Sequence, residues 1–133
     1  MEFKAEKIFA DYDENGLLIV GFFGKFKNEE FNLIIQDAYD REDEQEIELG
    51  MDTFYLEIND QSRSGYGGIE QLELWKSLLR LKLNRIGKEN LKIKSEILDI
   101  QLNINEKEFT NLREKLIVIF EPEKEIKTAY NTV

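Results

Sequence analysis

Apolar residues recur at every second position through most of this chain, and the period changes only near its C-terminal end. Phe3 and Ala5 open an alternating run, and LLIVGFF follows after the turn-forming DENG at Asp13–Gly16. Asn15-Gly16 between two such runs is a strong hairpin signal, because both residues tolerate positive φ. The pattern predicts a β-hairpin over about 3–12 and 17–23. In FNLIIQDAY, residues 31–39, Phe31, Leu33 and Ile35 share one face and Ile34, Gln36 and Ala38 the other, as in a strand. TFYLEIND, residues 53–60, turns Phe54, Leu56 and Ile58 inward and Tyr55, Glu57 and Asn59 outward. IEQLELW and LLRLKL pair as a hairpin across Lys76-Ser77, and NRIGKENL, residues 84–91, reads as a short helical turn or loop. Leu98, Ile100, Leu102 and Ile104 then alternate with Asp99, Gln101 and Asn103 in one more strand with a solvated face.

Beyond residue 104 the spacing becomes helical. Asn105 followed by Glu108 is a capping-box arrangement, and Phe109, Leu112, Leu116, Ile119 and Phe120 fall on one stripe that Pro122 brings to an end. The expected architecture is α+β: a mostly antiparallel, twisted sheet of six to seven strands with the C-terminal helix packed on one face. Residues 1–121 make one domain, and the polar stretch 122–133 is a short tail expected to fray unless it docks.

Composition narrows the chemistry sharply. In 133 residues there is no cysteine and no histidine. Disulfides, thiolate metal sites, cysteine nucleophiles, Ser-His-Asp triads and imidazole acid–base catalysis are therefore absent by inventory. No signal-peptide order opens the chain, and no apolar run approaches the ~20 residues of a membrane helix, so the expected compartment is the cytoplasm, with no membrane partner.

The formal net charge of -10 is unevenly placed: residues 1–35 carry -3, residues 36–60 carry -9, and residues 61–133 carry +2. Such a balance speaks against nucleic acid as a partner, since phosphate binding needs a positive footprint. It favours a basic partner, or a cation. The run DREDEQEIE, Asp40–Glu48, holds six acids and one base. It reads either as a solvated loop or frayed helical turn, or as a recognition surface anchored by strands on both sides, with Asp40, Glu42, Asp43 and Glu44 foremost. A contrasting basic stretch runs from Lys76 to Lys94 and lacks the interleaved aromatics of a nucleic-acid site. The asymmetry admits pairing between the acidic segment of one copy and the basic stretch of another, a homodimer.

NDQSRSGYGG, residues 59–68, raises the remaining candidates. Its glycines lack the Lys-Ser/Thr that completes a phosphate loop, and a strand rather than a helix follows, so they read as a tight reversal between two strands. Glu57 with Asp60 is too common a pairing to mark a glycosidase. DYDENG begins like a calcium loop, but Phe22 stands where the bidentate glutamate belongs. No metal or cofactor is expected, and the chain does not read as an enzyme. Tyr55, Glu57, Asp60, Gln61, Arg63 and Tyr66 around the loop are residue types suited to a binding surface, or to a loop in which Tyr66 folds back onto the core and Gln61 caps the loop's own amides.

The succession FNLIIQ, IELGMDTFYLEIND, QSRSGYGGIEQLEL and LLRLKL resembles the immunity protein 10 family of bacterial polymorphic-toxin systems, over about Phe3 to Phe120. Its most specific part is Tyr55-x-Glu57 with Gln61 and Gly67-Gly68-Ile69. The resemblance implies a small cytoplasmic α+β protein that binds and neutralises a cognate toxin domain. Carried over position by position, Gln36, Tyr55, Glu57, Gln61, Tyr66, Gly67 and Gly68 match the family pattern, with Gln36, Gly67 and Gly68 in structural roles. The charge adds that the toxin is basic, a nuclease being one fitting class. The alternative is a small-ligand or cation-binding domain built on the 59–68 loop.

Overall fold

The computed structural model describes residues 1–131. Strands β1 (Glu2–Tyr12) and β2 (Leu18–Phe26) form the first hairpin, and β3 (Glu29–Gln36) adds a second. In the first turn Gly16 alone takes positive φ, +81°, while the Asp13 carboxylate accepts from the Asn15 and Leu17 amides at 2.8 and 2.9 Å. The second turn is Lys27-Asn28 with φ of 51° and 65°. Two positive φ values are what a two-residue turn on twisted strands requires, and Asn28 tolerates the strain best.

A short helix, α1 (Glu44–Glu48), precedes β4 (Tyr55–Ile58) and β5 (Asp60–Tyr66). Next come β6 (Ile69–Trp75), β7 (Leu78–Leu83), α2 (Arg85–Leu91), β8 (Ile97–Gln101), α3 (Glu106–Phe120) and β9 (Lys127–Tyr130). All nine strands join one sheet in the order β5-β4-β3-β2-β1-β8-β7-β6-β9. The pairs β1/β8 and β6/β9 are parallel and the others antiparallel, so the expected six to seven mostly antiparallel strands become a mixed sheet of nine. The two unforeseen strands are its two edges. An edge strand needs one partner and no alternating apolar face, so polar DQSRSGY and KTAY carry little periodic signal. The tail thus docks through residues 127–130 beside β6.

One connection dictates the shape of the sheet. Strands β5 and β6 are separated by Gly67 and Gly68 alone, yet six strands lie between them in the sheet order. In a flat sheet they would stand roughly 34 Å apart at the usual strand spacing, whereas three Cα steps reach at most about 11 Å. The sheet must therefore curl back on itself, and α2 packs at the seam against β5, β4 and β7. Gly68 has φ +100°, and a Cβ on it would lie 2.6 Å from Gly87 Cα of α2. The glycines are not a reversal within a hairpin, as expected from sequence; they are where the curled sheet closes over a helix.

The inner face holds the core. Phe3, Val20, Phe22, Leu33, Leu56, Leu72, Leu81 and Ile100 are buried from the strands. From α3 come Phe109, Leu112, Leu116, Ile119 and Phe120, the stripe the spacing predicts, with the Phe120 ring 4.9 Å from that of Phe54. The capping box forms as expected: the Glu108 amide donates to Asn105 Oδ1 at 2.8 Å and the Asn105 amide to Glu108 Oε1 at 3.1 Å. None of the described helices is long and apolar enough to cross a membrane.

Candidate functional site

Strand β3 ends at Gln36, and the chain leaves the sheet through the acidic segment before returning in β4. The segment is not a frayed loop. Asp43 caps α1 by accepting from the Glu46 amide at 3.0 Å, and Glu44 and Glu46 sit in the first turn, where the helix dipole favours negative charge. At the other end Gly50, with φ +72°, stops the helix. Its amide donates to the Ile47 carbonyl at 3.1 Å and the Met51 amide to that of Glu46 at 2.8 Å, the paired bonds of a Schellman motif. Five residues of helix would not persist alone in water; these are held by a cap at each end.

Arg41 decides what the segment presents. Its guanidinium turns inward to Asp37 at 2.8 Å and Glu123 at 3.1 Å, and donates to the Ile119 carbonyl at 2.8 Å. Glu123 is 7% exposed and also accepts from the Thr53 hydroxyl. The one base of the run is thereby consumed in tying it to the C-terminal end of α3. Asp40, Glu42, Asp43, Glu44 and Glu48 remain exposed, with no base within 4.0 Å among the described residues. Among these carboxylates stand Tyr39, 82% exposed, Ile47, 50%, and Leu49, 63%. Beside them a hollow of about 690 Å³ opens between the first hairpin turn and the end of β3, lined in part by Tyr12, Asp13, Asp37 and Tyr39. Of these apolar residues only Ile47 interrupts the acidic run; Tyr39 closes the predicted strand 31–39 and Leu49 follows the run, so no single pattern marked the three in the sequence.

The remaining candidates divide between the two ends of β4. Gln36, Tyr55 and Tyr66 stand on one rung across β3, β4 and β5, at the end where the acidic segment departs. Tyr66 does not fold into the core: its ring lies 5.2 Å from that of Tyr55 on the outer face. The Tyr55 hydroxyl donates to Glu57 Oε1 at 2.8 Å, and partial burial holds its pKa above the ordinary phenol value.

Asp60, Gln61 and Arg63 belong to the opposite end, about 10 Å along the strand by the rise per residue. There the Asp60 carboxylate accepts from the Ser62 hydroxyl and amide, which hold its pKa below the usual carboxylate value. Arg63 Nε donates to the Leu91 carbonyl of α2 at 2.9 Å, and so locks the seam. Gln61 is exposed. The stretch 60–66 is a strand and not the open loop expected from its composition. Among the described residues no cluster of three or more acidic side chains is arranged to hold a metal ion.

Neither a curated protein nor a solved structure matches the chain. The family model for immunity protein 10 matches residues 4–110, which take in most of β1, all of β2 to β8, the acidic segment, the Gly67-Gly68 seam and the start of α3. That span covers most of the 133 residues, and the chain belongs to the immunity protein 10 family.

Proposed function

We propose that this immunity protein binds a cognate toxin domain through the acidic end of its sheet and neutralises it by covering a basic surface. The observation that carries this is Arg41: with its guanidinium drawn into the fold, the outward side of residues 39–49 is left with carboxylates, Gln45 and exposed apolar side chains, and with no free base. A surface of one sign, held by two helix caps, meets a partner of opposite sign without first being ordered. It also speeds encounter and rejects acidic partners. Tyr39, Ile47 and Leu49 supply apolar contact area among the charges. A nuclease domain fits this surface well, because the positive groove that binds phosphates would pair with it and be closed to substrate. The protein then acts as a binder and not an enzyme, in the cytoplasm of the cell it protects.

Co-expression with the product of the adjacent upstream gene, tested as the cognate toxin, checks this. The expected result is survival of cells that carry both proteins, recovery of a complex, and loss of protection when Asp40, Glu42, Asp43 and Glu44 are changed together to their amides. Equal killing with and without the chain, and no complex, would overturn it.

A further inference from the structure

The hollow of about 690 Å³ beside the acidic segment has two walls of like composition. One is the first hairpin turn, where Tyr12 and Asp13 line it, and the other is the chain leaving β3, where Asp37 and Tyr39 do. Main-chain bonds fix both walls. The Asp13 amide donates to the Leu17 carbonyl at 2.8 Å, and the Asp37 amide to the Leu18 carbonyl at 3.0 Å, one rung past the Ile19–Gln36 pair. Each carboxylate is held by its own turn through one oxygen. Asp13 Oδ1 accepts from the Asn15 and Leu17 amides, and Asp37 Oδ1 accepts from the Ala38 amide at 2.8 Å and faces Arg41. The Oδ2 atom of each receives no hydrogen bond among the described residues. Tyr12 and Tyr39 are both exposed.

The charge around this hollow has one sign. No lysine or arginine occurs over residues 8–24 or 28–40, whereas Asp11, Asp13, Glu14, Asp37 and Asp40 lie in the two walls and their flanks. Bases brought near by the fold are already engaged. Arg41 is turned inward to Asp37 and Glu123, and Lys115 of α3 donates to Asn111, the residue that reaches the Ala10 carbonyl of β1. Asp13 has no base within 4.0 Å among the described residues. The aliphatic part of the lining is Leu17, Leu18 and Ala38, too little for the largely hydrophobic walls that hold small organic ligands.

We infer that the hollow seats one arginine side chain of the toxin, its guanidinium between the Tyr12 and Tyr39 rings and against the carboxylates of Asp13 and Asp37. This rests on the toxin-binding reading above and extends it from residues 39–49 to the first hairpin turn. Arginine suits each feature of the seat. Its planar cation stacks on aromatic faces, pairs with carboxylates through a fixed fork of donors, and sheds water more readily than a lysine ammonium does. Walls already fixed by the turn and the ladder need little ordering when it enters. An arginine enclosed by aromatic rings and carboxylates is also the kind of contact that dominates a binding energy.

The test uses the full chain and the product of the adjacent upstream gene, its activity removed by substitution. Tyr12→Ser and Asp13→Asn are expected to weaken the complex roughly ten-fold or more, as loss of a hot-spot contact does, with an unchanged melting temperature. Asparagine at position 13 keeps the side-chain acceptor that the turn uses. Glu14→Gln removes a charge from the same turn outside the lining, and should change affinity less than about two-fold. Phenylglyoxal labelling of the partner should find an arginine that the unaltered chain protects and the Asp13→Asn chain does not. Unchanged affinity in both hollow variants, or protection of no arginine, would overturn the seat, and the amide variants at Asp40 to Glu44 would still read the acidic surface separately. A loss in Glu14→Gln as large as in Asp13→Asn would reduce the effect to general charge and overturn the seat as well. Absence of any complex with the unaltered chain would overturn both readings. A dimer of the free chain dispersed by Tyr12→Ser would assign the hollow to a second copy and overturn the inference too.

Discussion

Gly68 and Gly16 both hold positive φ, but their surroundings separate what alanine would do at each. At Gly16, with φ +81°, a Cβ meets nothing within 4 Å, so Gly16→Ala should cost only about 1 kcal/mol of backbone strain. At Gly68 the same strain is joined by a clash with the α2 backbone, and Gly68→Ala should cost on the order of 3 kcal/mol. Chemical denaturation of the two variants side by side checks the difference. Arg41→Ala removes the anchor of the acidic segment and leaves Glu123 buried without a base. We expect a loss of about 2–3 kcal/mol and faster amide exchange confined to residues 38–50. Exchange unchanged there would mean that the segment is held without Arg41. At this scale the sequence identified residue types and not partners. Tyr66 stood equally well for core or surface until the rung opposite Tyr55 placed it outside, and nothing local showed that Arg63 would reach Leu91.

Among the elements, α3 was the most legible, because its cap, stripe and stop signal are all local. Asn105→Ala should cost about 1 kcal/mol, read as a lower denaturation midpoint. Strands β5 and β9 were the least legible, since each exists only because a neighbouring strand offers an edge. Strand β9 nonetheless carries a titratable probe. Burial pushes the Tyr130 phenol up to about 12 from 10.0, and its hydroxyl has no hydrogen-bond partner among the described residues. The folded chain thus holds the neutral phenol while the unfolded chain ionises, and stability should fall as pH rises from 10.0 to about 12, with no effect below that window. Tyr130→Phe should reduce this alkaline loss, leaving the part that Tyr55 contributes, and leave stability near neutral pH no lower than before, measured by circular dichroism at fixed denaturant.

For the whole molecule, most of the -9 of residues 36–60 gathers at one end of the curled sheet, where residues 36–52 hold eight acids and one base. Association with a basic toxin should slow as salt rises from ~0.01 to ~0.15 M, where the screening length shrinks from about 30 to about 8 Å. Asp40→Asn, Asp43→Asn and Glu44→Gln combined should lower the association rate about ten-fold and flatten that salt dependence. Asparagine at position 43 still caps α1, so the fold is not at issue. Stopped-flow association across a salt series checks this, and a rate indifferent to both salt and substitution would place the contact elsewhere. The sequence by itself determined the α+β class, the existence of seven strands and the segregation of charge, because alternation, helical spacing and composition are properties of neighbouring residues. Tertiary structure alone decided that the sheet has nine strands, that two glycines close it against α2, and that Arg41 turns inward. Those outcomes depend on which distant segments meet, and neither a polar edge strand nor a buried ion pair leaves a period in the chain.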